Sequence, residues 1–281
     1  MYQKSLLAGL LGLAMLAAHA TDVAGAKLAT LQQTDIKGYA VKTSSDLALA
    51  YRNAANLGEF KEVALQRPEQ GGYFYAAMTQ VICNNEWLAQ APAQFEASSK
   101  NAEISKRRNA SLVRIRALCQ GFPAGAATDP LATISKGITL GDPLALGFKG
   151  VEKDKSVDIA ATLKLQIAAQ DPELLRSLEY FLIRNTFDSV YFDRQWLSGE
   201  EAKNVLIAAS LVPCEFGASC KLDADPILML NCAQFKRCPE NLEVSAAWAI
   251  GADRLKLALI IRDRMVQAIR SKDSSLFIPN T

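Results

Sequence analysis

The sequence predicts an all-α fold, an irregular array of about nine or ten packed helices arranged as helical hairpins. Few windows alternate apolar and polar residues with period two, as half-buried strands do. Aromatic residues make up only 7% of the 281 residues, whereas 50% are hydrophobic, and the many alanines and leucines favour helices over strands. A recurring helix-start signal is the third observation.

That signal is an aspartate followed by a proline and apolar residues. It occurs at Asp129-Pro130, Asp142-Pro143, Asp171-Pro172 and Asp225-Pro226. The aspartate side chain can accept hydrogen bonds from the first free N–H groups of a helix, and proline suits the first helical position because its φ is preset. Each pair therefore predicts a helix start. Their uneven spacing argues against a strict tandem repeat.

Other helices follow from start and stop signals. Ser198 and Glu201 have the spacing of a capping box, which predicts a helix start at Ser198. We expect one helix over 73–90 and a long one over about 96–120, which Gly121 ends. A last helix over about 242–270 carries an apolar stripe formed by Trp248, Leu255, Leu259, Val266 and Ile269.

The N-terminus has the pattern of a signal peptide over residues 1–20. Lys4 supplies a positive charge, an unbroken apolar run follows, and Ala18-His19-Ala20 has small residues on both sides of an A-x-A cleavage site. The alternative is an uncleaved anchor. Cleavage predicts export to a bacterial periplasm or beyond. For the rest of the chain we expect a flexible lead-in at 21–43 and one α-helical domain at 44–281.

Removal of the signal peptide has a chemical consequence. His19 is the only histidine, so the mature chain would contain none. This excludes Ser-His-Asp and Cys-His mechanisms and histidine-ligated metals. The sequence also lacks the short motifs of other nucleophiles and of phosphate loops. We therefore expect no catalytic residues of these classes, no cofactor and no metal.

Four of the six cysteines lie within 25 residues, as two C-x5-C pairs. Zinc knuckles use a tighter C-x2-4-C spacing, and an oxidising compartment favours disulfides over free thiolates. We therefore expect disulfides at all six cysteines: Cys83, Cys119, Cys214, Cys220, Cys232 and Cys238. We favour the pairs 214–220 and 232–238 with 83–119 as the third, while both nested pairings of the last four stay open.

Several phrases carry a resemblance to known groups. Gly141-Asp142-Pro143-Leu144-Ala145 resembles the G-D-P-x-A phrase of Sel1-like helical repeats. More of the chain resembles secreted all-α proteobacterial proteins of unknown function, through GGYFYA with Cys83, RALCQGF with Cys119, and LVPCEFGASC followed by CAQFKRC. This resemblance implies a helical fold and the export route, and it implies no active site.

The richest candidate for a ligand site is the aromatic and charged stretch at 180–196. Aromatic faces can stack on sugars or apolar groups, while carboxylates and guanidiniums fix polar ones. The competing interpretation is a helix end and loop packed onto the core. The candidate binding residues are Tyr180, Arg184, Asp188, Tyr191, Asp193, Arg194 and Trp196.

Basic residues are concentrated on the predicted helix at 96–120. They could face an anionic partner or form a solvated helix surface. A net charge of +2 is too small to indicate a nucleic-acid partner. The run consists of Lys100, Lys106, Arg107, Arg108, Arg114 and Arg116.

The expected function is non-catalytic binding of an envelope protein or small ligand. The alternative is a hydrolase or lyase that acts on envelope glycans through carboxylates, which would need one acid with a raised pKa in a dry cleft. A purely structural envelope role is a third reading. The glutamates considered for the alternative are Glu86, Glu173, Glu179, Glu200 and Glu201, of which Glu200 and Glu201 are expected at an exposed cap.

Overall fold

The computed structural model describes residues 46–95, 102–122, 129–148, 158–183, 189–235 and 237–279. The predicted signal peptide and lead-in lie outside these residues. The described chain is helical apart from one two-stranded hairpin, which confirms the all-α prediction. The described residues form more helices than the nine or ten expected, because several helices are only one or two turns long.

The elements in chain order are α1 (Asp46–Arg52), α2 (Leu57–Ala64), a 3-10 turn (Pro68–Gln70), α3 (Gly72–Cys83), α4 (Glu86–Gln90), α5 (Ala102–Leu118), α6 (Pro130–Thr139), α7 (Pro143–Phe148), α8 (Ile159–Ala169), α9 (Pro172–Leu175), α10 (Leu178–Ile183), β1 (Ser189–Phe192), β2 (Gln195–Ser198), α11 (Gly199–Glu215), α12 (Pro226–Phe235), α13 (Leu242–Ile250) and α14 (Ala252–Arg270). They belong to two compact units. One unit comprises Ser45–Glu152 and Ala218–Ser245, and the other comprises Lys153–Gly217 and Ala246–Thr281.

The first unit is built around α3. Ten of the twelve residues of this helix are buried, because α2, α6 and α7 pack against it. Gly137 on α6 permits the close approach, since a Cβ at this position would lie 2.6 Å from the Tyr73 Cβ. Elsewhere in the unit α5 packs against α12.

The Asp142 carboxylate accepts hydrogen bonds at the starts of two helices in this unit. Its Oδ1 accepts hydrogen bonds from the N–H groups of Leu144 and Ala145, both at 2.9 Å, at the start of α7. Its Oδ2 accepts from Tyr73 and Phe74 at the start of α3, at 2.8 and 3.2 Å. The side chain is fully buried, and this desolvation raises its pKa although the four N–H groups oppose the shift.

All four aspartate-proline pairs start a helix, as predicted. The four aspartates Asp129, Asp142, Asp171 and Asp225 each accept from backbone N–H groups two or three residues ahead. The predicted helix start at Ser198 is confirmed, because Ser198 is the N-cap residue of α11, but its side chain makes no capping hydrogen bond, so the capping box itself does not form. Gly199 begins α11 with a φ of 57°, so the chain enters the helix in a different geometry from the one a capping box needs.

Two predicted helices are each divided. The helix expected over 73–90 is interrupted at Asn84, and Asn85 caps the short α4 through its side chain. The helix expected over 242–270 is interrupted at Gly251, whose φ of 83° ends α13 and begins α14. The two parts do not share one apolar stripe: Val266 and Ile269 are buried, but 56% of Trp248 is exposed.

In the second unit α11 packs along α14, and the short helices α9 and α10 cover α11. The β1–β2 hairpin packs on α11 as well, and α10 lies against β1. The buried side of the hairpin consists of Val190, Phe192 and Leu197, each at most 4% exposed.

Every cysteine is disulfide-bonded. Cys83 is paired with Cys119 and Cys232 with Cys238. Cys214 and Cys220 are also disulfide-bonded, and because no cysteine is free, they are paired with each other. These are the pairs favoured by the sequence, and the nested alternatives do not form.

Candidate functional site

The aromatic stretch forms a β-hairpin, which the sequence had not predicted. β1 and β2 pair antiparallel with Tyr191 opposite Trp196 and Phe192 opposite Gln195. The loop has only two residues, Asp193 and Arg194. Both have a positive φ, of 53° and 65°, as a type I′ hairpin turn requires.

This turn is strained at Arg194, because glycine normally occupies the second position of such a turn. A left-handed conformation costs an L-residue roughly 1–2 kcal/mol, and such strain persists only where surrounding contacts enforce it. Asp193 supplies those contacts. Its carboxylate accepts two hydrogen bonds from the Arg264 guanidinium, at 2.7 and 2.9 Å, and its backbone N–H donates to the Leu276 carbonyl at 3.0 Å.

The hairpin presents one large aromatic and one cation to solvent. The Trp196 side chain is 52% exposed, and its ring meets that of Tyr191 edge to face at 5.4 Å. Arg194 is exposed, and among the described residues no carboxylate lies within ion-pair distance of it. Arg194 interacts electrostatically with Asp273, whose pKa is lowered mainly by hydrogen bonds from Ser275 and further by Arg194.

The predicted binding residues therefore separate. Tyr191 and Trp196 are brought together, while Asp193 is occupied by Arg264 and Arg194 is exposed beside it. Tyr180 is half-buried on α10, where its ring packs against Phe181. Arg184 and Asp188 lie outside the described residues. Arg264, which holds the turn, was missed because it lies 71 residues further along the chain.

A second feature of this unit is the buried carboxyl of Glu179 on α10. Its side chain is 8% exposed, and within the described ranges it forms no ion pair and no hydrogen bond. Desolvation raises its pKa from 4.5 to about 7. A carboxyl with this property can hold a proton at neutral pH, as a general acid must.

Three other carboxylates of this unit are engaged. Glu173 accepts a 2.7 Å hydrogen bond from Arg176 in a buried pair, and Asp171 caps α9. Glu200 forms ion pairs with Lys203 and Arg254. These three carboxylates have structural roles, whereas Glu179 is buried and has the raised pKa that the alternative hydrolase hypothesis requires.

The basic run on α5 does not form an open cationic face. Arg107 is paired with Glu103 and Glu240, and these contacts raise its pKa. Lys106 and Arg114 are exposed. Lys100 lies outside the described residues.

Two arginines of this run contact the segment that precedes α5, and Arg108 also contacts α12. The Arg108 guanidinium lies 3.6 Å from the centre of the Phe95 ring and donates to the Ala233 carbonyl at 2.7 and 3.1 Å. Its burial lowers its pKa. Arg116 donates to the Ala91 carbonyl at 2.7 Å. These side chains serve packing rather than an anionic ligand.

Two further properties of the described residues bear on the site. No group of three or more histidine, cysteine, aspartate or glutamate side chains is placed to hold a metal ion. None of the helices in the described ranges has both the length and the apolar character needed to cross a membrane.

Comparison with known proteins gave no match to a family model, to a curated protein or to a solved structure.

Proposed function

We propose that this chain is an exported, non-catalytic binding protein that contacts its ligand through the tip of the β1–β2 hairpin. The observation that carries the proposal is the strained two-residue turn, which holds Arg194 in solvent next to the half-exposed Trp196. Backbone strain of this kind is often retained for function. Tryptophan and arginine are also the side chains most enriched at binding hot spots.

The contacts of the hairpin favour recognition over chemistry. Asp193 is neutralised by two hydrogen bonds from Arg264, so it is poorly placed to act as a base. Arg194 and Trp196 at the tip are exposed to solvent, whereas catalysis needs water to be excluded around the reacting atoms. Export is supported by the three disulfides and by the signal-like N-terminal sequence.

The test is affinity capture from a cell-envelope extract with matched variants. Arg194→Gly combined with Trp196→Ala removes both exposed groups of the tip, and glycine keeps the left-handed turn. Trp248→Ala is the control, because Trp248 is a similarly exposed tryptophan at 56% in the same unit.

The proposal predicts a component that the wild type and the control retain and the double variant loses. Retention of the same components by all three proteins would contradict it. Circular dichroism of each variant establishes that the fold is intact before capture is compared.

A second candidate function rests on Glu179. A buried carboxyl with a pKa of about 7 has the protonation behaviour of the acid in a glycan hydrolase or lyase. Turnover of purified peptidoglycan by the wild type, abolished by Glu179→Gln but kept by Glu200→Gln, would establish this function. Absence of turnover by the wild type between pH 5 and pH 7 would remove it.

A further inference from the structure

We propose that the free edge of β2 receives an extended, acidic segment of a partner protein as a third strand. The inference rests on the proposed binding function and assigns a partner class to the same hairpin. It comes from three features of β2 that point to one kind of ligand: the direction of its backbone groups, its exposure, and the two side chains at the tip.

The pairing register determines which backbone groups point outward. In a two-residue hairpin the pair next to the turn, Phe192 and Gln195, exchanges the ladder hydrogen bonds, and the following pair does not. The N–H and C=O of Trp196 therefore point away from β1, as does the N–H of Ser198. In the part of the chain that the structure describes, no backbone hydrogen bond engages these three groups.

The two strands differ in accessibility. In β1 all residues after Ser189 are buried. The C-terminal tail lies beside the end of β1 that leads into the turn. There the Leu276 carbonyl accepts a hydrogen bond from the Asp193 N–H, and the centres of the Phe277 and Phe192 rings are 6.2 Å apart. In β2, Trp196 and Ser198 are both exposed. Strand addition is therefore possible at β2, where an extended peptide can supply the missing hydrogen bonds.

The side chains at this edge define the ligand further. Arg194 has no ion-pair partner among the described residues, whereas the neighbouring Asp193 is already neutralised by Arg264. Asp273 interacts with Arg194 electrostatically but forms no ion pair with it, so the Arg194 guanidinium can still pair with an aspartate or glutamate of the ligand. The Trp196 indole can cover an apolar side chain of the added strand. A saccharide could stack on the indole, but it would leave the outward backbone groups of β2 without the regular spacing that a peptide supplies.

The first test selects random heptapeptides displayed on phage against the full exported chain, and measures each enriched peptide by fluorescence anisotropy. We expect enriched peptides to contain an acidic residue. Arg194→Gly and Trp196→Ala are each expected to weaken their binding about tenfold. Trp248→Ala and Lys272→Gly are the controls and should change it less than about twofold. Lys272 matches Arg194 as an exposed cation with a left-handed φ, of 58°.

The second test methylates the peptide backbone nitrogens one at a time. An added strand turns alternate N–H groups toward β2, so methylation at every second residue should abolish binding, and methylation between them should leave it unchanged. Loss of affinity without alternation, or enriched peptides that bind all variants equally, would overturn strand addition. Arg194→Gly keeps this test decisive if Trp196→Ala fails to fold, because glycine is relaxed in the turn.

Failure of this inference is distinguishable from failure of the binding function. If the envelope component lost by the double variant is a saccharide and no peptide depends on the hairpin, binding at the tip stands and strand addition falls. If neither an envelope component nor a peptide depends on Arg194 and Trp196, both fall.

Discussion

At the scale of single residues, Asp142 shows how one side chain can fix two helices. Its four hydrogen bonds go to backbone N–H groups at the starts of α3 and α7. Each of these groups is buried, so none can turn to solvent if the carboxylate is lost. The helix start after Asp142 was predictable from Asp142-Pro143, but its bonds to Tyr73 and Phe74 were not, because nothing in a local pattern reports a partner 69 residues away.

Asp142→Asn should destabilise the protein strongly. The amide keeps one acceptor oxygen and turns an NH2 group toward two N–H donors, and each buried donor left unpaired costs about 1–3 kcal/mol. We expect a loss of about 3 kcal/mol in the free energy of unfolding, measured by urea denaturation. Asp129→Asn is the matched control: Asp129 is an exposed helix cap, and asparagine caps about as well as aspartate.

Glu179 makes stability depend on pH. Its folded pKa is about 7 instead of 4.5, so between these values the unfolded chain has lost a proton that the folded chain still holds. The free energy of unfolding should therefore fall as pH rises from about 4.5 to 7, by at most about 3 kcal/mol. Below this window the contribution is fully present.

Glu179→Gln should remove that dependence, because the amide stays neutral. Urea midpoints should match the wild type near pH 4.5 and exceed it at pH 8. Glu62→Gln serves as the control, since the Glu62 side chain is 68% exposed. Equal midpoints for wild type and Glu179→Gln at pH 8 would show that Glu179 ionises freely.

At the scale of elements, the hairpin was the main departure from the sequence prediction. Val190 and Phe192 have the two-residue spacing of apolar side chains on one face of a strand, but each strand is only four residues long. Two-residue hairpin loops are usually recognised by Asn-Gly or Asp-Gly, and here Arg194 takes the place of the glycine. Contacts from Arg264 and Leu276, distant in sequence, hold a turn that local propensity disfavours.

This substitution makes a prediction about the turn itself. Arg194→Gly should raise the free energy of unfolding by about 1 kcal/mol, because glycine adopts a φ of 65° without strain. Thermal unfolding followed by circular dichroism measures it. A fall in stability would mean that the Arg194 side chain contributes more than its backbone costs.

Some helix boundaries could be predicted from local sequence signals and others could not. The four aspartate-proline pairs were reliable because the cap and the proline act within three residues. Gly251 was not recognised as a break within 242–270, since an isolated glycine is tolerated inside helices. Its φ of 83° separates Trp248 from the buried face of α14, which explains why this tryptophan is exposed although the stripe predicted it to be buried.

At the scale of the whole molecule, the disulfides link segments that no periodicity connects. Cys83 and Cys119 are 36 residues apart and tie the end of α3 to the residue after α5, whereas Cys232 and Cys238 are only six apart. The number of cysteines and the signal-like N-terminus made disulfides predictable. The division into two units was not predicted, because residues 218–245 join the first unit from far along the chain.

The long and short loops should contribute unequally. In the chain-entropy model, removing Cys83–Cys119 by a double alanine substitution costs about 4 kcal/mol, and removing Cys232–Cys238 costs about 2 kcal/mol. Urea denaturation of both double variants under non-reducing conditions measures the difference. A larger loss for the 232–238 variant would mean that packing around that buried pair outweighs loop entropy.

The central claim is that the hairpin tip binds through the outward edge of β2. Amide hydrogen exchange, with and without the tightest-binding selected peptide, tests it most directly. The account predicts new protection at the amides of Trp196 and Ser198, with Gln195 and Leu197 unchanged because their N–H groups already face β1. Protection that leaves Trp196 and Ser198 unaffected, or that is confined to α13 around Trp248, would contradict it.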